Sequence, residues 1–197
     1  MGSILEVTMY YNEILLFDEI IKQIDFKNYK IDIKNIEILD DWEYTNHQVL
    51  YYSNSKLDIE KIVLENKIII INFTVNNFIC GYHISKINQD TYESCIWLNT
   101  YGLDFLDIDR ITNKNKFFYD VMTKKIINSI NSNKLLFIGI GIEPLIEYNK
   151  DFQIVINKSK NIIKWILPQK KSVVINNYSK KIINKFSIYT LKNNLKE

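Results

Sequence analysis

The chain has few of the residues and patterns that usually identify a specialised class of protein. It contains only two cysteines, two prolines and five glycines in 197 residues. No proline- or glycine-rich stretch divides it, so we expect no interdomain linker. No apolar run approaches the ~20 residues that cross a bilayer, and the acidic residues among the first twenty exclude a secretory leader. We therefore expect a cytoplasmic protein without a membrane segment.

The overall composition is that of an ordinary folded protein. Hydrophobic residues make up 47% of the chain and charged residues 24%, and this length is enough for a substantial core. We find no internal repeat, and strand-like and helix-like segments alternate along the chain. We therefore predict a single α+β domain over residues 1–197, in which a sub-domain break, if there is one, falls near 132–151.

Residues 67–99 form the segment with the clearest pattern. Three apolar runs, IIIINF, FICGYHISKI and YESCIWLN, are separated by the short polar connectors TVNN and NQDT. Apolar runs of this length bounded by turn residues are typical of strands. We predict a three-stranded antiparallel meander here, at the centre of a mostly antiparallel sheet with helices packed around it.

The register of the second and third strands is predicted from the turn between them. Cross-strand pairs stabilise a sheet when they are aromatic or oppositely charged. The register that satisfies this pairs Ile87 with Tyr92, Lys86 with Glu93, Ile84 with Cys95 and Tyr82 with Trp97.

This register places Cys80 and Cys95 on one face, ~13 Å apart and too far for a disulfide, with His83 on the other face. We therefore predict two buried thiols and no zinc site made by these residues with His47.

Helix and strand patterns flank the meander on both sides. Before it, we predict a strand at 4–10, a helix that is capped by Asn12 and has its apolar stripe over 16–24, and an extended segment over 29–38 with a bulge at Lys34-Asn35. A strand at 48–53 and a helix from Ser55 to Glu65 follow. After it, we predict a helix at 115–131 and a strand at 135–142 that is buried on both faces. The C-terminal third reads as mixed α/β, with strands at 153–156, 173–175 and 188–191 and helices at 159–168 and 179–186.

Two glycines near the end of an apolar strand are the nearest approach to a nucleotide-binding motif. Gly139 and Gly141 lie where a dinucleotide loop would begin, but a third glycine is missing and Glu143 and Pro144 follow almost at once. We interpret the glycines as positions that relieve crowding where another element crosses the strand.

No Ser, Cys or Thr lies in a nucleophile-elbow motif. We predict no catalytic residues, no metal site and no cofactor from these patterns.

The small net charge of +2 conceals a strong asymmetry along the chain. Residues 152–197 hold ten lysines and one acid, whereas residues 1–151 hold fifteen basic and twenty-two acidic residues, so the two parts carry +9 and −7. A molecule of this kind is an electrostatic dipole if the two parts lie at opposite ends. The lysine-rich part is compatible with a nucleic-acid patch. We rank that partner lower because this part has no arginine and its lysines are spread as on solvated faces.

Two acidic segments are the candidate binding surface. Carboxylates steer association with a basic partner, and interleaved aromatic side chains anchor it. A solvated loop is the alternative interpretation of each segment. The candidate partner-binding residues are Glu37, Asp40, Asp41, Trp42, Glu43 and Tyr44 in the first segment and Asp104, Asp107 and Asp109 in the second.

The run NFTVNNFICGYHISKI, with Gly81 in its second strand, resembles the central hairpin of GNAT-type N-acetyltransferases. The resemblance covers residues 67–156, and IEYNKDFQIV lies where that family often carries a Tyr before a Gly-Phe pair. It implies an acyltransferase that uses acetyl-CoA, with Tyr148 as the position to test. The chain departs from the family at the pyrophosphate turn, where TYGLDFLDIDRITNKNK has one glycine and three aspartates, and aspartates repel pyrophosphate.

These observations lead to two functional hypotheses. The first is a non-enzymatic binding protein, in the form of a small cytoplasmic immunity or antitoxin-like protein that neutralises a basic partner such as a nuclease toxin. The second is a divergent GNAT-like acyltransferase. Stabilisation of the fold by acetyl-CoA distinguishes them, because a ligand at a hundred times its Kd stabilises by ~2.7 kcal/mol.

Overall fold

The structure, a computed structural model, describes residues 2–18, 30–51, 57–106, 109–147, 156–171 and 173–192. Its main feature is one ten-stranded sheet in which every strand pair is antiparallel. Strands account for 50% of the structure and helices for 15%. The predicted α+β class, with helices packed around the sheet, is therefore wrong, and the fold is mostly antiparallel β.

The strands follow one another across the sheet in the order β3-β2-β4-β5-β6-β1-β7-β8-β10-β9. Their bounds are β1 Ile4–Tyr11, β2 Ile31–Leu39, β3 His47–Tyr51, β4 Ile68–Val75, β5 Phe78–Asn88, β6 Thr91–Asn99, β7 Leu135–Leu145, β8 Lys160–Pro168, β9 Tyr178–Ile183 and β10 Phe186–Leu191. Two helices, α1 (Ile59–Leu64) and α2 (Lys116–Ser129), have both ends within the described ranges. The helix predicted to begin after Asn12 does not begin there, because residues 12–16 are not helical; Phe17 and Asp18 are helical, and residues 19–24 lie outside the described residues.

The predicted meander is present as β4, β5 and β6. Asn76 and Asn77 both have positive φ in the first turn, as a two-residue hairpin turn of type I′ requires. The predicted register, however, is wrong by one residue beyond the second turn. Ile87 is an extra residue on β5, so that Asn88 pairs with Thr91 as predicted while Lys86 pairs with Tyr92.

The bulge at Ile87 changes which side chains share a face of the sheet. His83 pairs with Cys95 and Gly81 with Trp97, whereas Cys80 projects from the opposite face. Both cysteines are buried free thiols, but they do not lie on one face. One inserted residue reverses the face of every side chain beyond it, which is why the arrangement expected for His83 is corrected as well. The other predicted bulge is confirmed, because the register of β2 against β4 shifts between Ile33 and Asn35.

The C-terminal third is not a mixture of strands and helices. The segment predicted as a helix at 159–168 is strand β8, and the helix predicted at 179–186 is the hairpin of β9 and β10. Residues 173–175 are irregular, and 153–155 lie outside the described residues.

The region proposed for a sub-domain break contains β7, which is hydrogen-bonded to β1 on one side and to β8 on the other. The division of the chain into domains stays a prediction.

One face of the sheet, which we call the core face, carries the main hydrophobic core. Isoleucines of β4 and β7 project from it and are buried beneath Val63 of α1, Tyr119 and Ile126 of α2, and Leu106 of the loop after β6. Each fully buried aliphatic or aromatic side chain contributes ~1.5–3 kcal/mol to the stability of the folded state.

Among the described residues no helix is long and apolar enough to span a bilayer.

The glycines of β7 allow close approach, as the sequence predicts. A Cβ on Gly141 would lie 1.9 Å from the backbone oxygen of Asn161, and one on Gly139 would lie 2.6 Å from the Ile146 side chain. At Gly141 no side chain larger than hydrogen fits without displacing the backbone of β8, whereas at Gly139 the end of the Ile146 side chain would have to move. The pair therefore serves packing in this fold, because it lets β8 and Ile146 lie against β7.

Candidate functional site

The opposite face of the sheet carries a continuous group of polar side chains between β2 and β1. The ladder pairs Glu37 of β2 through Ile70 with His83 of β5, and His83 through Cys95 with Thr8 of β1. At ~4.8 Å per strand, these side chains extend over ~19 Å of the sheet. We call this group the polar strip; it consists of Glu6, Glu37, Asn72, His83, Glu93, Cys95 and Trp97.

Glu37 holds one end of the polar strip. Its two carboxylate oxygens have different partners: Oε1 accepts a hydrogen bond of 2.6 Å from Asn72 Nδ2, and Oε2 lies 3.0 Å from His47 Nε2. Asn72 Nδ2 also donates to Asn35 Oδ1 at 2.7 Å. The hydrogen bonds fix the Glu37 carboxylate on β2 and make it a structural as well as a charged part of the strip.

His83 and Glu93 form the centre of the polar strip. His83 Nε2 lies 3.0 Å from Glu93 Oε1, and both side chains are mostly buried. Burial by itself would raise the pKa of Glu93, but the hydrogen bond and charge of His83, with a hydrogen bond from Tyr10, hold the pKa below its usual value. Glu93 is therefore an ionised carboxylate in a partly buried position.

Cys95 lies beside this pair without the properties of a catalytic thiol. Its side chain is fully buried, it accepts a hydrogen bond from Thr8 Oγ1 at 3.6 Å, and it donates to Glu6 Oε2 at 3.8 Å. Burial, followed by the charge of Glu6, raises the pKa of the thiol well above its usual value. A reactive cysteine needs a lowered pKa and access to solvent, so proximity to His83 does not make Cys95 a nucleophile.

Glu6 differs from the other carboxylates of the strip in its surroundings. It is partly buried, and burial raises its pKa, although the nearby charge of His83 acts in the opposite direction. No lysine or arginine of the described residues forms an ion pair with it. Glu6 is thus a carboxylate whose ionisation the fold opposes.

Trp97 lies directly opposite Glu6 in the ladder. Its indole covers Gly81 of the neighbouring strand, where a Cβ would lie 2.0 Å from the ring. A glycine at this position is what allows the indole to lie against β5. Trp97 remains partly exposed.

The loop between β2 and β3 folds over the polar strip. Asp41 Oδ1 accepts hydrogen bonds from the backbone N–H groups of Glu43 and Thr45. Asp40 accepts from Asn46 Nδ2 at 2.8 Å and lies 3.2 Å from Lys67 Nζ. These bonds hold the pKa of both aspartates below the usual range.

Two aromatic rings of this loop pack edge-on against the two histidines of the chain. The ring centroids of Trp42 and His83 are 5.0 Å apart, and those of Tyr44 and His47 are 5.4 Å apart. Trp42 is nevertheless 51% exposed and Tyr44 48% exposed. Tyr44 has a φ of 59°, an uncommon conformation for a bulky residue. The loop thus presents two fixed aromatic side chains to solvent.

The structure separates the predicted site residues into two groups. Glu37 and residues 40–44 lie together at the end of the sheet where β2 leads into β3. Asp104 and Asp109 follow β6, whose last residue, Asn99, is four positions along the strands from the row that contains Glu37, a distance of ~13 Å. Leu103 and Leu106 of that loop pack into the core-face cluster. Asp107, like Tyr148, lies outside the described residues.

Of the seven residues of the polar strip, sequence reasoning named Glu37 as a binding residue and missed the other six. The missed residues come from β1, β4, β5 and β6, and only the register places them beside Glu37; they are Glu6, Asn72, His83, Glu93, Cys95 and Trp97. One signal was available in the sequence: Glu6 and Glu93 are charged residues within otherwise apolar runs, ILEVTMYY and YESCIWLN. Isolated charges in strands of this kind are rarely buried unless they have a partner or a function.

Metal binding finds no support in the described part of the chain. No group of three or more His, Cys, Asp or Glu side chains there is arranged to hold a metal ion. The two histidines instead lie next to single carboxylates, at 3.0 Å each.

Comparisons of the chain with models of protein families, with curated proteins and with solved structures found no match.

Proposed function

We propose that this chain is a non-enzymatic protein that binds and neutralises a basic protein partner, in the manner of a small cytoplasmic immunity or antitoxin protein. The binding surface in this proposal is the polar strip together with the loop between β2 and β3. The proposal keeps Glu37 and residues 40–44 as partner contacts and adds Glu6, Glu93 and Trp97. It assigns no contact to Asp104 and Asp109.

The charge of this surface is the observation that carries the proposal. Six carboxylates share it, those of Glu6, Glu37, Asp40, Asp41, Glu43 and Glu93. The ladder rows that contain His83 and Gly81 carry no lysine or arginine from β3 to β1. At the margins, Lys67 pairs with Asp40 and Lys34 pairs with Asp32. Such a surface attracts a basic protein and repels an acidic one.

The exposed aromatic side chains provide the second element of a protein-binding surface. Tryptophan and tyrosine are enriched among the residues that contribute most to binding, because a rigid ring buries a large area at small entropic cost. Trp42 and Tyr44 are half exposed and are each held against a histidine ring. They therefore lose little freedom when a partner covers them.

The test uses the protein encoded immediately upstream of this chain as the candidate partner. Purified wild-type chain should form a complex with it and should relieve the growth inhibition it causes in co-expression. The double variant Asp40→Asn/Glu43→Gln removes two charges from the loop, while the amide that replaces the Asp40 carboxylate can still accept a hydrogen bond. We expect it to weaken binding by about tenfold or more in biolayer interferometry at physiological salt.

A second double variant, Asp104→Asn/Asp109→Asn, is the matched control. It removes the same charge from the opposite end of the sheet, so its dissociation constant should stay within about twofold of the wild-type value. Equal weakening by both pairs would show that net charge rather than this surface governs binding. The absence of any complex with the upstream product would overturn the proposed function.

A further inference from the structure

The strip carries a more specific site at its β1 end. We propose that Glu6, Trp97 and Trp42 form a slot for one arginine side chain of the partner, with Glu6 as its counter-ion and the indoles as its walls. This inference rests on the proposed function, because it names the chemistry by which the same surface would recognise a basic protein. It goes beyond that function in selecting arginine over lysine.

Glu6 provides the first reason, since it is partly buried and forms no ion pair with a lysine or arginine of the described residues. The Cys95 thiol, which is a weak donor, donates a hydrogen bond to Glu6 Oε2 at 3.8 Å. Burial is the main cause of its raised pKa. A cation bound at Glu6 would compensate this burial, because an opposite charge favours the ionised carboxylate.

Trp97 provides the second reason, because it places an aromatic face beside that carboxylate. Residues directly opposite each other in an antiparallel ladder have Cβ atoms ~5 Å apart, and Glu6 and Trp97 are such a pair. The indole lies over Gly81, in the ladder row that also contains Glu6. A cation bound at Glu6 would therefore lie beside an indole, and cation–π attraction stabilises a cation that lies over the ring face.

Trp42 closes the other side of the slot. Its ring lies 5.0 Å from the ring of His83, and His83 is two residues along β5 from Gly81, which the Trp97 indole covers. Trp42 and Trp97 thus lie against two positions of β5 that are two residues apart and on the same face. In the proposed slot, a planar group enters between the two indoles and stacks on both.

Arginine suits this slot better than lysine for geometric reasons. Its guanidinium group is planar, stacks on aromatic faces and offers paired N–H donors to a carboxylate. The ammonium group of lysine is compact and strongly hydrated, so it loses more hydration on entering a partly buried position. At equal charge, an arginine ligand should therefore bind more tightly.

The experiment compares nona-arginine with nona-lysine, two probes of equal charge, by isothermal titration calorimetry at physiological salt. We expect nona-arginine to bind the wild-type chain on the order of tenfold more tightly, and Glu6→Gln to abolish this preference. Glu60→Gln is the matched control, since Glu60 lies in the first turn of α1 on the other side of the sheet and should leave both affinities unchanged. A thermal midpoint no lower than wild type shows that Glu6→Gln is folded.

The three tryptophans provide a second readout that reports the location of binding. In a ¹H–¹⁵N correlation spectrum, addition of nona-arginine should change the chemical shifts of the indole N–H signals of Trp42 and Trp97. The signal of Trp165, which is buried in a separate cluster, should stay in place. Movement of Trp165 alone would place the ligand elsewhere and end the proposal.

The outcomes separate this inference from the proposed function. Equal binding of both peptides, weakened equally by Glu6→Gln, would leave an acidic protein-binding surface but remove the arginine slot. An arginine preference that survives Glu6→Gln would refute Glu6 as the counter-ion. Failure of both peptides to bind, together with failure of the upstream product to bind, would overturn the proposed function as well.

Discussion

Glu6 and Glu93 show how two carboxylates on one face of a sheet acquire opposite energetic roles. Glu93 has a histidine within 3.0 Å and a tyrosine hydroxyl as partners, and its pKa is lowered. Among the described residues the Cys95 thiol donates to Glu6, and the pKa of Glu6 is raised mainly by burial, against the lowering effect of the His83 charge. The fold therefore favours the charge of Glu93 and disfavours that of Glu6. A residue that costs stability in the free protein is what a binding site is expected to contain.

Substitution of Glu6 by Gln should therefore stabilise the isolated protein while it weakens binding. We expect a gain in the free energy of unfolding on the order of 0.5 kcal/mol at neutral pH. Because the folded pKa is raised above 4.5, the penalty is fully present above that raised value and disappears as pH falls toward 4.5. Urea unfolding at neutral pH and at about pH 4 measures the difference in the free energy of unfolding between the variant and the wild type. If the variant is more stable by the same amount at both pH values, burial of the ionised Glu6 carboxylate is not the cause.

Glu93→Gln is the opposite case at the same scale. Because the folded pKa is lowered, the contribution of this carboxylate to stability is present above the usual value of 4.5 and is lost as pH falls through the folded pKa. The variant should lose on the order of 1–2 kcal/mol at neutral pH, since a charge-assisted hydrogen bond is removed. Urea denaturation measures the change. If Glu93→Gln raises the free energy of unfolding, the energetic roles assigned to the two carboxylates are wrong.

At the scale of the element, the sequence predicts the meander and strand β7 but fails for β8 and for the β9–β10 hairpin. The meander and both of its turns are recognisable because apolar runs alternate with asparagine-rich connectors. Strand β8 is buried on both faces, so NIIKWIL has no period of two and resembles a buried helix. The β9–β10 hairpin escapes prediction because lysines on an edge strand resemble the solvated side of a helix.

The candidate site was predictable only where it is local. The loop at residues 40–44 is contiguous in sequence, and its acidic and aromatic composition marks it. The β1 end of the polar strip depends on one inserted residue, Ile87, which decides that His83 and Trp97 face Glu6 rather than the core. A bulge changes the hydrogen bonding of a single residue, and nothing in the composition of SKINQDT identifies it.

Helix α2 is tied to the sheet by a lysine that sequence reasoning counted among the solvated ones. Lys164 is 4% exposed on β8, and its Nζ lies 2.9 Å from Asp120 Oδ1 and 3.4 Å from Thr123 Oγ1. Burial would raise the pKa of Asp120, but Lys116 and Lys164 hold it below the usual value. Asp120→Ala should cost about 1–3 kcal/mol in chemical denaturation, because it leaves a buried ammonium group without its counter-ion while Asp120 itself is half exposed.

The double variant Lys164→Met/Asp120→Ala provides the control for this prediction. Removal of both charges replaces the ammonium with an apolar side chain of similar length, and such replacements of buried ion pairs are often neutral. The double variant should therefore recover most of the stability that Asp120→Ala loses. If it is as unstable as the single variant, the loss arises from packing of α2 and not from the unpaired charge.

At the scale of the whole molecule, the order of the strands turns a charge asymmetry along the chain into one across the sheet. The loop that carries Asp40, Asp41 and Glu43 lies beside edge strand β3, and Lys180 and Lys181 lie on the opposite edge strand β9. Nine strand spacings separate the two edges, or ~43 Å. This is several times the Debye length at physiological salt, so the lysines neither neutralise nor screen the acidic surface.

The separation predicts how salt acts on association with a basic partner. Between about 0.05 and 0.5 M salt, the association rate constant should fall on the order of tenfold or more while the dissociation rate constant changes little, since long-range attraction acts on encounter. Lys180→Gln/Lys181→Gln should alter the association rate by less than about twofold, because both lysines are beyond the screening distance. Stopped-flow tryptophan fluorescence with nona-arginine measures these rates. A salt effect carried by the dissociation rate, or a large effect of the two lysines, would show that the ligand binds elsewhere than at the acidic edge.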